Sequence, residues 1–234
     1  LNAHPEPPFP QGYASAYEQV IQTLHGWLPG NEAIGRAVRK DVRMYPDVAI
    51  RELVANALIH QDLSVTGTSP LIELFDDRLE ISNPGAPLVD TERLLDTPPR
   101  SRNEAMASMM RRMNVCEERG TGVDKVVGSC ELYQLPAPQF EATDGFTRSI
   151  LFAMRPLTRM EPRERIRAVY WHACLRHVNG QHTNNTTVRK RFAIADTNSA
   201  MASRLLKEAE AAGVIRTFDP VAAPKLRRYV PWWA

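Results

Sequence analysis

The 234 residues contain no run of about eighteen apolar residues, so no membrane-spanning helix is expected. The opening "LNAHPEPPFPQG" has no basic start followed by an apolar stretch, which argues against a secretory signal and for a cytoplasmic location. Cysteine is scarce: Cys116, Cys130 and Cys174 are odd in number and lack C-x-x-C spacing, so neither a disulfide framework nor a zinc knuckle is expected. His172, Cys174, His177 and His182 also fit no familiar zinc spacing. The pattern G-x-x-x-x-G-K-[ST] occurs nowhere, which excludes a P-loop motor. The sequence opens on Leu rather than Met, and an upstream part is expected to be missing.

What is present is ordinary in bulk and uneven in distribution. With 43% hydrophobic and 24% charged residues, the chain suits one large or two modest globular domains. The net charge of +2 conceals an asymmetry. Through residue 158 there are 15 Lys+Arg against 21 Asp+Glu; beyond it there are 14 against 6. The charged, Pro-interrupted stretch "RPLTRMEPRER" (155–165) reads as a linker, dividing the chain into 1–157 and 158–234. A small basic unit after an acidic one suggests either a nucleic-acid surface or a solvated face.

Residues 1–12, with four prolines, read as an extended lead-in. "YASAYEQVIQTLHGWL" (13–28) has apolar residues at helical spacing and ends in a "PGN" turn. A second helix follows, with Pro46 near its first turn, where a missing amide is harmless. "LIELF" and "RLEIS" read as a hairpin joined at Asp76-Asp77 and ended by "NPG". After the loop "LLDTPPRSRN" (94–103), "EAMASMMRRM" is a helix, and "GTG" opens another over about Val123 to Cys130. Two strands around Asp144-Gly145 close the first unit. In the tail, helices are expected over 163–178, 187–192 and 200–213, then short strands in "VIRTF" and "RRYVPWW". Three helices and a two-stranded ribbon in this order make the winged form of the helix-turn-helix.

The second helix carries the chemistry. In "RELVANALIHQD" (51–62), Glu52, Asn56 and His60 recur every four residues in an otherwise apolar rod. Residues so spaced share one face, which either meets solvent or lines a pocket. An Asn there can offer its amide oxygen to Mg²⁺, and a Glu one turn earlier can orient or deprotonate a water attacking a phosphate. Gly120 and Gly122, with Thr121 between them, allow close backbone approach to phosphate oxygens at the amino end of the helix that follows. Asn83, at a strand end two residues before Gly85, can hydrogen-bond a base edge. Each feature also has a bland reading, as a turn or a helix start.

Together, "YPDVAIRELVANALIHQD", "LFDDRLEISNPGAPL", "SRNEAM" and "EERGTGVDKVV" resemble the divergent ATP-binding domain of the GHKL superfamily found in RecG-related transcriptional regulators, and the tail is similar to their C-terminal winged-helix domain. The resemblance spans roughly 40–234. It implies an α/β (α+β) fold, a two-layer GHKL or Bergerat-like sandwich with helices on one face of a mixed sheet, followed by a winged helix-turn-helix. It implies ATP and Mg²⁺ as cofactors, with Glu52 as catalytic base, Asn56 as the magnesium residue, and Asn83, Gly85, Gly120, Thr121 and Gly122 on the nucleotide. Asn83 stands where the superfamily has aspartate, and Pro87 where it has a second glycine. In the tail, Asn198, Ser199, Arg204 and Lys207 are expected towards double-stranded DNA. Arg189, Lys190 and Arg191 would join them from the preceding helix, and Lys225, Arg227 and Arg228 from the wing. The expected protein is an ATP-responsive regulator of transcription, as a homo-oligomer such as a dimer, lacking an upstream domain. An active ATPase and a nucleotide-free scaffold with a protein-binding tail are the alternatives.

Overall fold

The computed structural model describes residues 12–28, 30–34, 39–116, 121–223 and 226–234, with backbone alone for 30–34 and 39–43. Residues 1–11 of the expected lead-in, Gly120 and Lys225 lie outside the described residues. The fold is α+β, with two compact units: Leu1–Val126 with Phe140–Ala153, and Val127–Gln139 with Met154–Ala234.

In the first unit, α1 (Tyr13–Trp27) and α2 (Asp47–His60) pack together. Tyr17, fully buried, donates its hydroxyl to the Arg51 carbonyl at 2.7 Å, and Arg51 pairs with Glu18. Ala49, Ile50, Leu53, Val54, Ala55, Ala57 and Ile59 of α2 are all buried. They point in nearly every direction around the axis, as in a helix enclosed by its neighbours rather than lying on a surface. Strands β3 (Leu71–Leu74), β4 (Arg78–Pro84), β5 (Gln139–Thr143) and β6 (Phe146–Phe152) form a sheet in the order β3-β4-β6-β5. The β3–β4 and β4–β6 pairs are antiparallel, so the mixed sheet implied by the resemblance is not seen in these pairings. Successive strand residues face opposite ways. Leu79, Ile81 and Asn83 therefore share one face, and all three are buried. On the other face Glu80 is held by Arg78 at 2.5 Å and Arg148 at 3.3 Å.

The turn expected after α1 is instead a hairpin, β1 (Gly30–Ile34) and β2 (Arg39–Arg43), which among the described residues pair only with each other. "GNEAI" and "RKDVR" carry too few apolar residues for the alternation that marks a half-buried strand. Helix α3 (Glu104–Arg112) follows the 94–103 loop, and α4 (Gly122–Leu132) starts in the first unit and ends in the second.

The second unit contains α5 (Pro162–Val178), α6 (Asn185–Arg191), α7 (Ser199–Ala211) and the antiparallel pair β7 (Ile215–Thr217) and β8 (Tyr229–Pro231). Helix α5 begins inside the stretch read as a linker, because Glu161 and Glu164 form a reciprocal capping box with Pro162 at the first helical position. Asn184 and Thr187 cap α6 in the same way. Leu205, Leu206 and Ala209 face the core as their spacing implies, whereas Ala212 is exposed just past the end of α7. His172 Nδ1 lies 3.1 Å from both Glu131 carboxylate oxygens, and burial pushes the Cys130 thiol up to about 12. No helix among the described residues is long and apolar enough to cross a membrane.

Candidate functional site

The polar line of α2 faces a cavity in the first unit. Glu52, Asn56 and His60 line it together with Asn83 of β4, Thr147 and Ser149 of β6, and Gly122 and Val123 at the start of α4. The strap between Ala86 and Arg100 supplies the remaining wall, including Pro87, Leu88 and Leu94. Four residues expected at one site from distant parts of the sequence, Glu52, Asn56, Asn83 and Gly122, thus meet around one space.

Their hydrogen bonds leave specific atoms for a ligand. Asn56 Nδ2 donates to Glu52 Oε1 at 3.2 Å, so Oδ1 is the acceptor that Asn56 offers to the cavity. Asn83 Nδ2 donates to the Pro84 carbonyl at 3.1 Å, leaving Oδ1 as an uncharged acceptor in a buried position. The Glu52 carboxylate fills the space beside Gly122: an added Cβ would overlap it and stand 2.9 Å from its Cγ, so any side chain there would have to displace that carboxylate. A glycine at the first turn of an eleven-residue helix lets another group come close to the helix's amino end, and here that group is the Glu52 carboxylate. These features fit a Mg²⁺-nucleotide: an amide oxygen for the cation, a glycine cradle for phosphate and a neutral acceptor for a base.

Gly85, expected on the nucleotide, is not among the residues lining the cavity, and its bonds hold the neighbouring backbone instead. Its φ is +107°, its N–H donates to Gly145 O at 2.7 Å, and its carbonyl accepts from Thr147 Oγ1 at 2.7 Å. An added Cβ would lie 3.1 Å from Asp62 Cβ and 3.2 Å from the Arg102 guanidinium carbon. Thr121 is half-buried directly before Gly122.

Sequence reasoning assigned "SRN" no task, and the structure gives it one. Arg102 donates to His60 O at 3.1 Å and Ala86 O at 2.6 Å; Asn103 Nδ2 lies 2.8 Å from both Ile59 O and Gln61 O. These two side chains satisfy carbonyls at the end of α2 and fasten the strap. Burial, aided by the Arg102 charge, holds the His60 imidazole below its ordinary value. Burial likewise raises the Asp124 carboxyl in the first turn of α4.

The expected DNA residues lie in the second unit and divide into two groups. Asn198, Ser199, Arg204, Lys207, Lys190 and Arg228 are exposed. Arg189 bonds to Asn185 Oδ1 at 3.0 Å and pairs with Asp196, and Arg227 is half-buried. Arg191 departs from the expectation. Its side chain is buried, donates to Leu135 O at 2.7 Å and lies 3.6 Å from Glu131. Spacing explains this, since Arg191 shares the inward side of α6 with Val188, three residues earlier.

Residues 67–151 match the family described as "Putative ATP-dependent DNA helicase recG C-terminal". The matched segment holds Asn83, Gly85, Thr121 and Gly122 and begins after α2, so Glu52 and Asn56 lie outside it. The fold is similar to the solved structure of the DIP2311 protein from Corynebacterium diphtheriae, with a TM-score of 0.58 and 19% sequence identity. That likeness covers 93% of this chain and 45% of the other, so this chain spans less than half of that protein's length. No curated protein matches the sequence.

Proposed function

We propose that the first unit binds ATP with Mg²⁺ and the second binds double-stranded DNA, as in a RecG-related, ATP-responsive transcriptional regulator. The observation that carries this reading is the convergence of Asn56, Glu52 and Gly122 on one cavity whose far wall holds Asn83. Asn56 Oδ1 would hold the cation, which when bound neutralises phosphate charge. The opening turn of α4 would receive phosphate on its N–H groups, and Asn83 Oδ1 would accept from the adenine amino group. Glu52 would orient and deprotonate water if the nucleotide is hydrolysed.

In the second unit, the three helices and the hairpin read as a winged helix with α7 as the recognition element. Asn198 and Ser199 at its start, with Arg204, Lys207 and Arg228, carry the DNA reading; buried Arg191 takes no part. ATP alters DNA affinity only as far as it binds the DNA-competent form more tightly than the other. The acting form would be a cytoplasmic homo-oligomer.

Thermal denaturation with and without ATP and Mg²⁺ tests the nucleotide reading. ATP at one hundred times its Kd stabilises the folded chain by about 2.7 kcal/mol. An unchanged Tm at saturating ATP and Mg²⁺ would refute it. In parallel, fluorescence anisotropy on duplex DNA should show an affinity that changes when ATP and Mg²⁺ are added.

A further inference from the structure

The Glu52 carboxylate rests against the first residue of α4, in space that a Cβ on Gly122 would fill. Asn56 Nδ2 holds it there at 3.2 Å. The amino end of a helix concentrates unpaired N–H groups and the positive end of its dipole. An anion belonging to the protein therefore already sits where a phosphate would bind. Other charges nearby do little to invite a second one. Asp124 adds a carboxyl in the same first turn, and Arg100 is the sole Lys or Arg among the described side chains lining the cavity.

We propose that Glu52 is a metal-dependent gate on this site: without a divalent cation its carboxylate excludes phosphate from the start of α4, and a cation at Asn56 draws it away. The proposal rests on the nucleotide reading above. Both halves of the device use residues one helical turn apart on α2, so a cation held by Asn56 Oδ1 stands next to the carboxylate it must move. The exchange leaves no helix end bare, because phosphate takes the place the carboxylate fills beside Gly122. It also leaves Glu52 beside the cation, where it can act on water. Metal-free nucleotide is thereby disfavoured.

The test is calorimetric titration of the full chain and of Glu52→Gln and Glu52→Ala with ADP and with a non-hydrolysable ATP analogue, each in EDTA and in Mg²⁺. Neither ligand turns over, so trapping by lost hydrolysis plays no part. The gate predicts that in EDTA both variants bind both ligands about tenfold more tightly than the parent, the scale of an anion at a helix amino end. In Mg²⁺ the difference should shrink. Equal affinities of parent and variants in EDTA would overturn the gate while leaving nucleotide binding intact. So would a gain confined to the triphosphate, since that is repulsion of its last phosphate rather than occupation of the helix end. Absence of binding by parent and variants in both buffers would overturn the nucleotide reading and the gate together.

Discussion

Gly85 shows how tightly single residues are specified around the cavity. Its φ of +107° is one that L side chains rarely adopt, and an added Cβ would stand 3.1–3.2 Å from neighbours that would have to give by a few tenths of an ångström. Gly85→Ala should lower unfolding stability by about 1–3 kcal/mol, read as a drop in urea midpoint; an unchanged midpoint would contradict the geometry. His60 makes a pH prediction. Its pKa is held below the ordinary value of 6.5, so between those two values the folded chain binds fewer protons than the unfolded chain. Stability is therefore full above the ordinary value and falls as pH drops through that window. His60→Gln should remove this part of the acid sensitivity, and denaturation curves that keep the same loss from about pH 7 to about pH 5 would rule it out. The residues on α2 were legible because i, i+4 spacing is visible in a sequence, although spacing alone does not say whether the line faces solvent or a cavity. Arg102 and Asn103 were not legible in role. Their partners are backbone carbonyls, which carry no side-chain signal, and most lie 42–44 residues away.

Among the elements, α2 depends on others to finish it. Its last carbonyls are met by Asn103 and Arg102 rather than by a glycine cap, and the chain leaves the helix extended at Gln61. Asn103→Ala would leave two acceptors without this donor, at a cost of about 1–3 kcal/mol. Hydrogen exchange should quicken in the last turn of α2 while α1 keeps its protection. Equal exchange in both proteins would show that the clasp has no energetic role. Most helices and the two central hairpins were readable because apolar period and turn residues coincide. The β1–β2 pair was not, since "GNEAI" and "RKDVR" lack the apolar alternation that marks a strand in a sequence. The Arg189-Lys190-Arg191 run misled for a related reason: a run of like charge hides the helical period, which turns Arg191 inward and leaves Lys190 exposed.

For the whole molecule, the division of charge is as informative as the fold. The acidic first unit holds a cavity whose lining includes a carboxylate and a single Lys or Arg among the described side chains, so under the proposed reading a polyanionic ligand would need a cation there. The basic second unit has exposed Arg204 and Lys207 on α7. If these meet DNA phosphates, the double substitution Arg204→Ala with Lys207→Ala should weaken duplex binding and reduce the slope of log K against log salt by about two. An unchanged slope would place DNA, if bound, elsewhere. The central claim is that Asn56 makes the cavity a Mg²⁺-dependent ATP site, and calorimetric titration of ATP with Mg²⁺ into the parent chain and Asn56→Ala tests it most directly. Saturable binding by the parent that is lost in EDTA and in Asn56→Ala is the predicted result; no binding by the parent, or binding that Asn56→Ala leaves unchanged, would contradict it.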